Sequence, residues 1–427
     1  MNAKLERAKD LKQALVDFVY DAEGELAVAL EEYTAQRTEK ERYDIRQQNL
    51  IVDTFLSEGK VAEKTPIELF LENEPNLTKS DRALVNHWRH SFTGLFELVQ
   101  ILSPGFELMN WLTAKRYRVF PSQDIPETTE MARWKPGDIL LTRIAPVTDN
   151  DWMFSGACIP KGRLSKPKLA VVIGEFKKNY KNYLYSDAPE LLEQAWESVA
   201  TYHQEFVDFF GSEQVTLPGY QLNKKMTELQ QKMSKKQLEA AGIDSSKSLK
   251  EIIQETGADE AELKAAAVEA GGDSESVTKA FENQEKSSML LPKMDLPDEI
   301  KKAEQVTTFS HPRWGQMFVP TYSKFKAMLE AEEPQNQPNF ESLVRKYLED
   351  PRINFFIWQQ LQKQYSTQLE KCLKIVLERP DFSLNNDLEK TLLQYYKPSE
   401  PELPEIASVP IHLHNLFEEA VAQVHKS

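Results

Sequence analysis

The chain has 427 residues, enough for two or three domains, and its 41% hydrophobic and 28% charged residues are typical of a globular protein. Its 52 Lys and Arg against 67 Asp and Glu give a net charge of -15, so the chain as a whole repels polyanions and a nucleic-acid site would need a local basic patch. Two distant cysteines exclude a disulfide framework, and no stretch approaches the ~18 apolar residues of a membrane span. We expect a soluble, cytoplasmic protein, with peripheral membrane contact left open.

The first 80 residues predict helices. Residues 5–33 carry apolar side chains at intervals of three and four, the pattern of one amphipathic stripe, and residues 37–57 form a second helical stretch. These stretches pack within the chain or form a dimeric coiled coil; the stripe is interrupted before three or four heptads accumulate, which favours packing within the chain. Thr65 and Thr78 are each followed three residues later by a carboxylate, Glu68 or Asp81, which predicts a capped helix start at both positions.

Residues 93–176 form the β-rich part of the chain. Short runs rich in β-branched and aromatic residues are separated by Pro- and Gly-containing turns, as in consecutive antiparallel strands. The runs are residues 93–102, 106–113, 116–120, 138–144, 152–156 and 169–173. Since helical patterns lie on both sides, the predicted fold is α+β and mostly helical, with a central small antiparallel β-barrel or sandwich flanked by N- and C-terminal helical regions.

Part of this module carries a family resemblance. The sequence that carries it comprises Trp88, residues 91–97, residues 111–113 and 117–119, residues 136–144, Pro146 and residues 154–156. Over about residues 80–162 it resembles a module of uncharacterised bacterial proteins, some of which end in a zinc-binding tail like that of the secretion motor SecA. This chain has His412 and His414 near its end but no cysteine there, so the resemblance implies no zinc site and no activity.

After the module the pattern is helical again. A helix with an apolar face begins at Pro189. Residues 224–290 form a charged helical insertion that is poor in aromatic residues. The long helical stretch at 353–378 is rich in apolar and aromatic side chains. Residues 311–320 are expected to form a buried extended loop. We predict four parts: a helical region at 1–80, the module with its packing helix at 81–223, the insertion at 224–290 and an α-helical domain at 291–427.

Candidate catalytic and metal-binding groups are few. His87 and His90 lie three apart on a predicted helix, and His412 and His414 two apart, but neither pair has the further ligands that a metal site needs. Cys158 and Cys372 have no nucleophile motif around them and are expected to be small buried residues. Residues 248–263 have the rhythm of a helix-turn-helix, yet the second helix begins with acidic residues that would face phosphates. We assign no catalytic residue, no metal ligand and no cofactor.

One local basic stretch stands out against the acidic background. Lysine, arginine and tyrosine alternate between residues 161 and 185, which is consistent with single-stranded nucleic acid binding by charge and stacking. The alternative is a solvated edge strand and loop whose lysines discourage pairing with another sheet, and we favour it. The residues assigned to the nucleic-acid hypothesis are Lys161, Arg163, Lys166, Lys168, Lys177, Lys178, Tyr180, Lys181 and Tyr183.

These observations favour a non-catalytic adaptor, assembly or regulatory factor that binds another protein or protein complex. The expected contact residues are the exposed side of the module at Trp134, Trp152 and Phe154, and the loop at His311 and Trp314. An RNA- or ribosome-associated protein is the first alternative. An enzyme of unrecognised type is the second.

Overall fold

The computed structural model describes residues 2–38, 45–122, 131–240, 296–404, 406–407, 409–410, 412–413 and 416. Within them lie thirteen α-helices and eight β-strands, so the predicted α+β, mostly helical class is confirmed. The predicted insertion at 224–290 is described only as far as residue 240, and the helix-turn-helix pattern at residues 248–263 lies outside the described residues.

Two compact units divide the chain, one of Met1–Leu192 with Pro410–Ser427 and the other of Glu193–Val409. The predicted boundary at residue 80 falls inside the first unit. The four-part division remains a prediction, because most of the insertion lies outside the described residues.

The first unit opens with five helices. They are α1 (Asn2–Tyr20), α2 (Glu25–Thr38), α3 (Ile45–Glu58), α4 (Pro66–Asn73) and α5 (Lys79–His87). The predicted continuous stripe at residues 5–33 is broken in two, since Gly24 has a φ of 70°, which a helix cannot continue through. Both predicted starts are confirmed: the Thr65 and Thr78 side chains each accept the backbone N–H three residues on, and Glu68 and Asp81 accept N–H bonds in return.

A closed five-stranded sheet follows these helices. Its strands are β1 (Phe92–Ile101), β2 (Phe106–Asn110), β3 (Arg116–Phe120), β4 (Ile139–Pro146) and β5 (Asp151–Gly162). The hydrogen-bonded order is β1-β2-β3-β5-β4, and β4 pairs back to β1. The prediction of purely antiparallel pairing is wrong at one place, since β3 and β5 run parallel. A closed ring with an odd number of strands cannot alternate direction all the way round, so one parallel pair is required.

The last predicted strand of the module is a helix instead. Residues 169–173 lie in α6 (Lys166–Asn179), and Pro167 occupies its first turn. Its buried side chains Leu169, Ile173 and Phe176 recur at intervals of four and three, so one helical face packs on the core. This packing outweighs the strand preference of Val171, Val172 and Ile173. The chain then enters α7 (Pro189–Phe210), within which the boundary between the units falls.

The second unit contains a smaller sheet that the sequence analysis missed. Its antiparallel strands β6 (Gln214–Leu217), β7 (Val306–His311) and β8 (Gly315–Val319) pair in that order. The prediction of an extended loop at 311–320 is therefore wrong, since most of it is a hairpin. The remaining helices are α8 (Gly219–Ala240), α9 (Asp298–Lys301), α10 (Tyr322–Glu330), α11 (Phe340–Glu349), α12 (Phe355–Val376) and α13 (Leu384–Gln394).

Candidate functional site

The aromatic residues predicted to form an exposed contact face lie in the interior of the closed sheet. Trp134, Trp152 and Phe154 are 6%, 8% and 0% exposed. Phe154 packs against Trp134, and Trp152 packs edge-to-face on Tyr117 at a ring-centroid distance of 5.3 Å. The predicted exposure of these three residues is wrong, because closing the sheet turns one side of every strand inward and large aromatic side chains fill that space.

The other two predicted contact residues lie at the turn between β7 and β8. Nδ1 of His311 accepts the backbone N–H groups of Arg313 and Trp314, each at 3.1 Å, and its ring lies 4.6 Å from that of Phe356. Burial, with a smaller effect from His203, lowers the pKa of His311. Since Nδ1 accepts both of these bonds, the neutral ring is the form that stabilises the turn.

The exposed group of this turn is Arg313 rather than a tryptophan. Its guanidinium lies 3.9 Å from the ring centre of Trp196, while Trp314 is half-buried against the core of the second unit. A contact role for His311 and Trp314 remains a prediction.

The structure describes three of the four histidines in the two pairs that the sequence singles out. The rings of His87 and His90 lie 5.4 Å apart, edge-to-face, beside an open cleft of about 520 Å³. Nε2 of His412 lies 2.8 Å from the carbonyl oxygen of Trp111, and His414 is outside the described residues. Among the described residues, no group of three or more His, Cys, Asp or Glu side chains is placed to hold a metal ion.

Both cysteines are buried, as expected from the sequence. Burial raises the pKa of the Cys372 thiol to about 11. A thiol of this pKa is protonated at neutral pH and is a poor nucleophile. Cys158 is 7% exposed among the aromatic residues of the closed sheet.

A buried charge cluster, which the sequence analysis did not identify, connects α3 to the closed sheet. Its centre is Arg143 of β4, a residue with no exposed surface. The Arg143 guanidinium donates to Ser57 at 2.5 Å and Glu58 at 2.8 Å, and lies 3.5 Å from Asp53. Asp53 in turn accepts a bond from Lys12 of α1 at 2.5 Å. Two cations thus meet two carboxylates, which is the condition for burying charge at tolerable cost.

This cluster also fixes Tyr183. The tyrosine hydroxyl accepts a bond from Arg143 at 3.0 Å and donates to the carboxylate of Glu58. Burial is the main reason that the pKa of Tyr183 is raised. The nucleic-acid hypothesis requires tyrosine rings that can stack on bases. Tyr183 does not meet this requirement, because Arg143 and Glu58 hold its side chain in place. Tyr180 is partly covered as well, because its ring stacks on Phe176 at 4.9 Å.

The basic side chains of the same stretch lie at the surface. We call residues 161–181 the cationic segment; it comprises the end of β5, the turn after it, α6 and two following residues. It holds seven Lys or Arg residues and one carboxylate, Glu175. The exposed members are Lys161, Arg163, Lys166, Lys168, Lys178 and Lys181, and Lys177 is half-buried. The predicted edge strand is only partly right, because most of the lysines lie on or beside a helix.

Helix α6 gives the cationic segment two distinct faces. One face buries Leu169, Ile173 and Phe176 in a cluster that includes Leu95 and Leu141 of the closed sheet. The opposite face exposes lysines together with Val171, which is 62% exposed. The packed face fixes the helix, so the charged face is held in one orientation.

Comparison of the chain with protein-family models, with curated proteins and with solved structures gave no match. Within the residues that the structure describes, no helix is long and apolar enough to cross a membrane. We therefore infer the function from the surfaces of the chain itself.

Proposed function

We propose that this protein is a non-catalytic adaptor that binds an acidic partner protein through the cationic segment. The observation that carries the proposal is the concentration of seven basic residues and one carboxylate within 161–181, in a chain whose net charge is -15. Such a patch steers a partner of opposite charge towards the segment. The rigid packing of α6 supports a specific surface, since the lysines project from a fixed helix.

A protein partner is favoured over RNA by the side chains between the lysines. Single-stranded nucleic acid binding usually combines cations with aromatic rings that stack on bases. Here Tyr183 is held by Arg143 and Glu58, and Tyr180 is stacked on Phe176. The exposed apolar residue of the segment is Val171, which offers a contact for an aliphatic side chain instead.

A non-catalytic role is supported by the burial of an arrangement that resembles acyl-transfer chemistry. In the second unit the Ser310 hydroxyl lies 3.2 Å from Nδ1 of His203, and Nε2 of His203 lies 4.0 Å from the Glu213 carboxylate. Ser310 is only 1% exposed, so a substrate has no access to its oxygen. We interpret these three residues as a structural contact between α7 and β7.

The experiment is affinity capture from native cell extract with paired charge variants. The test variant carries Lys168→Glu and Lys178→Glu, and the control carries Lys324→Glu and Lys390→Glu, exposed lysines with the same total change in charge. We expect one protein to be retained by the wild type and the control, to be lost from the test variant, and to survive nuclease treatment.

Two outcomes overturn the proposal. Equal retention by the test and control variants would show that the cationic segment is not the contact. Loss of the captured material on nuclease treatment would show that it binds RNA. Circular dichroism of all three proteins confirms that each variant is folded.

A further inference from the structure

We propose that the partner docks on α6 as a helix, along a seam formed by Pro167, Val171, Gly174 and Lys178. This inference rests on the proposed function and adds the partner's chemistry: an amphipathic helix with a small apolar stripe flanked by carboxylates. Three features of the first unit carry it.

The first feature is the position of the seam. Its members are spaced by four, three and four residues, so they lie along one side of α6. Val171 at the centre of the seam is 62% exposed, whereas Leu169 on the packed side is 5% exposed. The 14-residue helix is about 21 Å long at ~1.5 Å per residue, which is enough for three to four turns of a partner helix to lie against it.

The second feature is Gly174 in the middle of the helix. A Cβ added there meets nothing within 4 Å, so packing inside the protein does not require a glycine. Its φ is not in the left-handed region either, and glycine inside a helix lowers stability. An exposed position without a side chain, next to Val171, lets the backbone of a second helix approach closely.

The third feature is that the closed sheet beside α6 offers no edge. Each of its five strands already has two hydrogen-bonded neighbours, so an extended partner cannot extend this sheet by adding a strand. The backbone hydrogen bonds of a helix are satisfied internally, so a helix needs no such edge and can contact the surface through its side chains alone.

The charges around the seam define the flanks of the partner. Lys168 and Lys178 are exposed near the two ends of α6, and Glu175 is the single carboxylate. Carboxylates near both ends of an apolar stripe on the partner would pair with these lysines. A uniformly acidic polymer would pair with the lysines but would leave Val171 exposed.

The test uses two synthetic peptides labelled with a fluorophore, and binding is followed by fluorescence anisotropy. The helical peptide consists of Glu, Ala and Leu in heptads, with Ala and Leu forming the stripe and Glu flanking it. The helix-broken peptide has the same charge, with two central residues replaced by proline. The proteins are the wild type, Gly174→Leu, the Lys168→Glu and Lys178→Glu double variant, and its Lys324→Glu and Lys390→Glu control.

We expect the wild type to bind the helical peptide more tightly than the helix-broken one. Gly174→Leu should weaken binding of the helical peptide by about tenfold, because a bulky side chain blocks the close approach of the two helices. Its affinity for the helix-broken peptide should be unchanged. The double lysine variant should bind both peptides more weakly than the wild type, and the control should bind both with the affinity of the wild type.

The possible failures are distinguishable. Equal binding of the two peptides by the wild type, or an unchanged affinity of Gly174→Leu for the helical peptide, overturns the helical partner and leaves the acidic partner in place. Equal binding by the double lysine variant and its control overturns the proposed function as well.

Discussion

At the scale of single residues, position in the closed sheet decides the role of Trp152. Its indole contacts Phe92 and Tyr117, and only 8% of the residue is exposed. We therefore expect Trp152 to contribute to stability through apolar burial.

We expect Trp152→Ala to lower the free energy of unfolding by about 3–5 kcal/mol, because it leaves a large cavity among aromatic rings. Urea unfolding followed by circular dichroism measures the change. The half-buried Trp314 provides the comparison, since Trp314→Ala should cost less. A Trp152→Ala protein of normal stability that has lost its partner would restore a contact role for this residue.

Gly174 and Gly162 form a matched pair for a second test, because a Cβ added at either glycine meets nothing within 4 Å. They differ in backbone conformation: Gly162 has a φ of 67° and Gly174 does not lie in the left-handed region. We expect Gly174→Ala to raise the free energy of unfolding by about 0.5–1 kcal/mol. Gly162→Ala should lower it by about 1 kcal/mol through strain.

Thermal or urea unfolding of both glycine variants distinguishes the two effects. A destabilising Gly174→Ala would show that the protein needs a glycine at this position for its own stability. The absence of a side chain at Gly174 would then no longer support a close approach by a partner helix.

At the scale of elements, the start of α4 shows how a local pattern sets a charge state. The Glu68 carboxylate accepts a backbone N–H bond and a hydroxyl bond from Thr65. These bonds lower the pKa of Glu68 to about 2. Since the pKa is lower in the folded state than in the unfolded state, the stabilisation is present above pH 4.5 and is lost as the pH falls towards 2.

We therefore expect the wild type to lose more stability than Glu68→Gln between pH 4.5 and pH 2. At neutral pH the variant should be the less stable of the two, because the charged acceptor at the helix start is gone. Urea unfolding at a series of pH values measures both. Parallel pH profiles for the two proteins would show that Glu68 does not titrate with folding.

At the scale of the whole molecule, the proposed binding rests on the distribution of charge. The chain carries a net charge of -15, yet the cationic segment holds seven basic residues against one acidic residue. Electrostatic interactions between exposed charges extend over about one Debye length, ~8 Å at physiological ionic strength. The rate of association with the proposed partner should depend on salt, whereas the proposed apolar contact at Val171 should not.

We expect the association rate of the captured partner to fall as salt rises from 0.05 to 0.5 M by roughly ten- to a hundredfold, with a smaller change in the dissociation rate. Surface plasmon resonance of the wild type and the Lys168→Glu and Lys178→Glu variant measures both rates. A salt-independent association rate for the wild type would rule out steering by the cationic segment.

The sequence by itself determined the features that depend on near neighbours in the chain. The helix starts at Thr65 and Thr78 were predictable, because a capping box involves residues only three apart. Five of the six predicted strands of the module also correspond to strands, since alternation and turn residues are local signals. The basic composition of residues 161–181 needs no structure at all.

Only the tertiary structure decided which residues of the apolar, strand-like runs are buried. Trp152 and Val171 both occur in apolar, strand-like runs, yet Trp152 lies inside the closed sheet and Val171 is exposed on a helix. The hydroxyl of the partly buried Tyr183 is held by Arg143 and Glu58, which lie 40 and 125 residues away in sequence. Burial depends on which distant segments meet, and a local pattern carries no information about a partner that lies elsewhere in the chain.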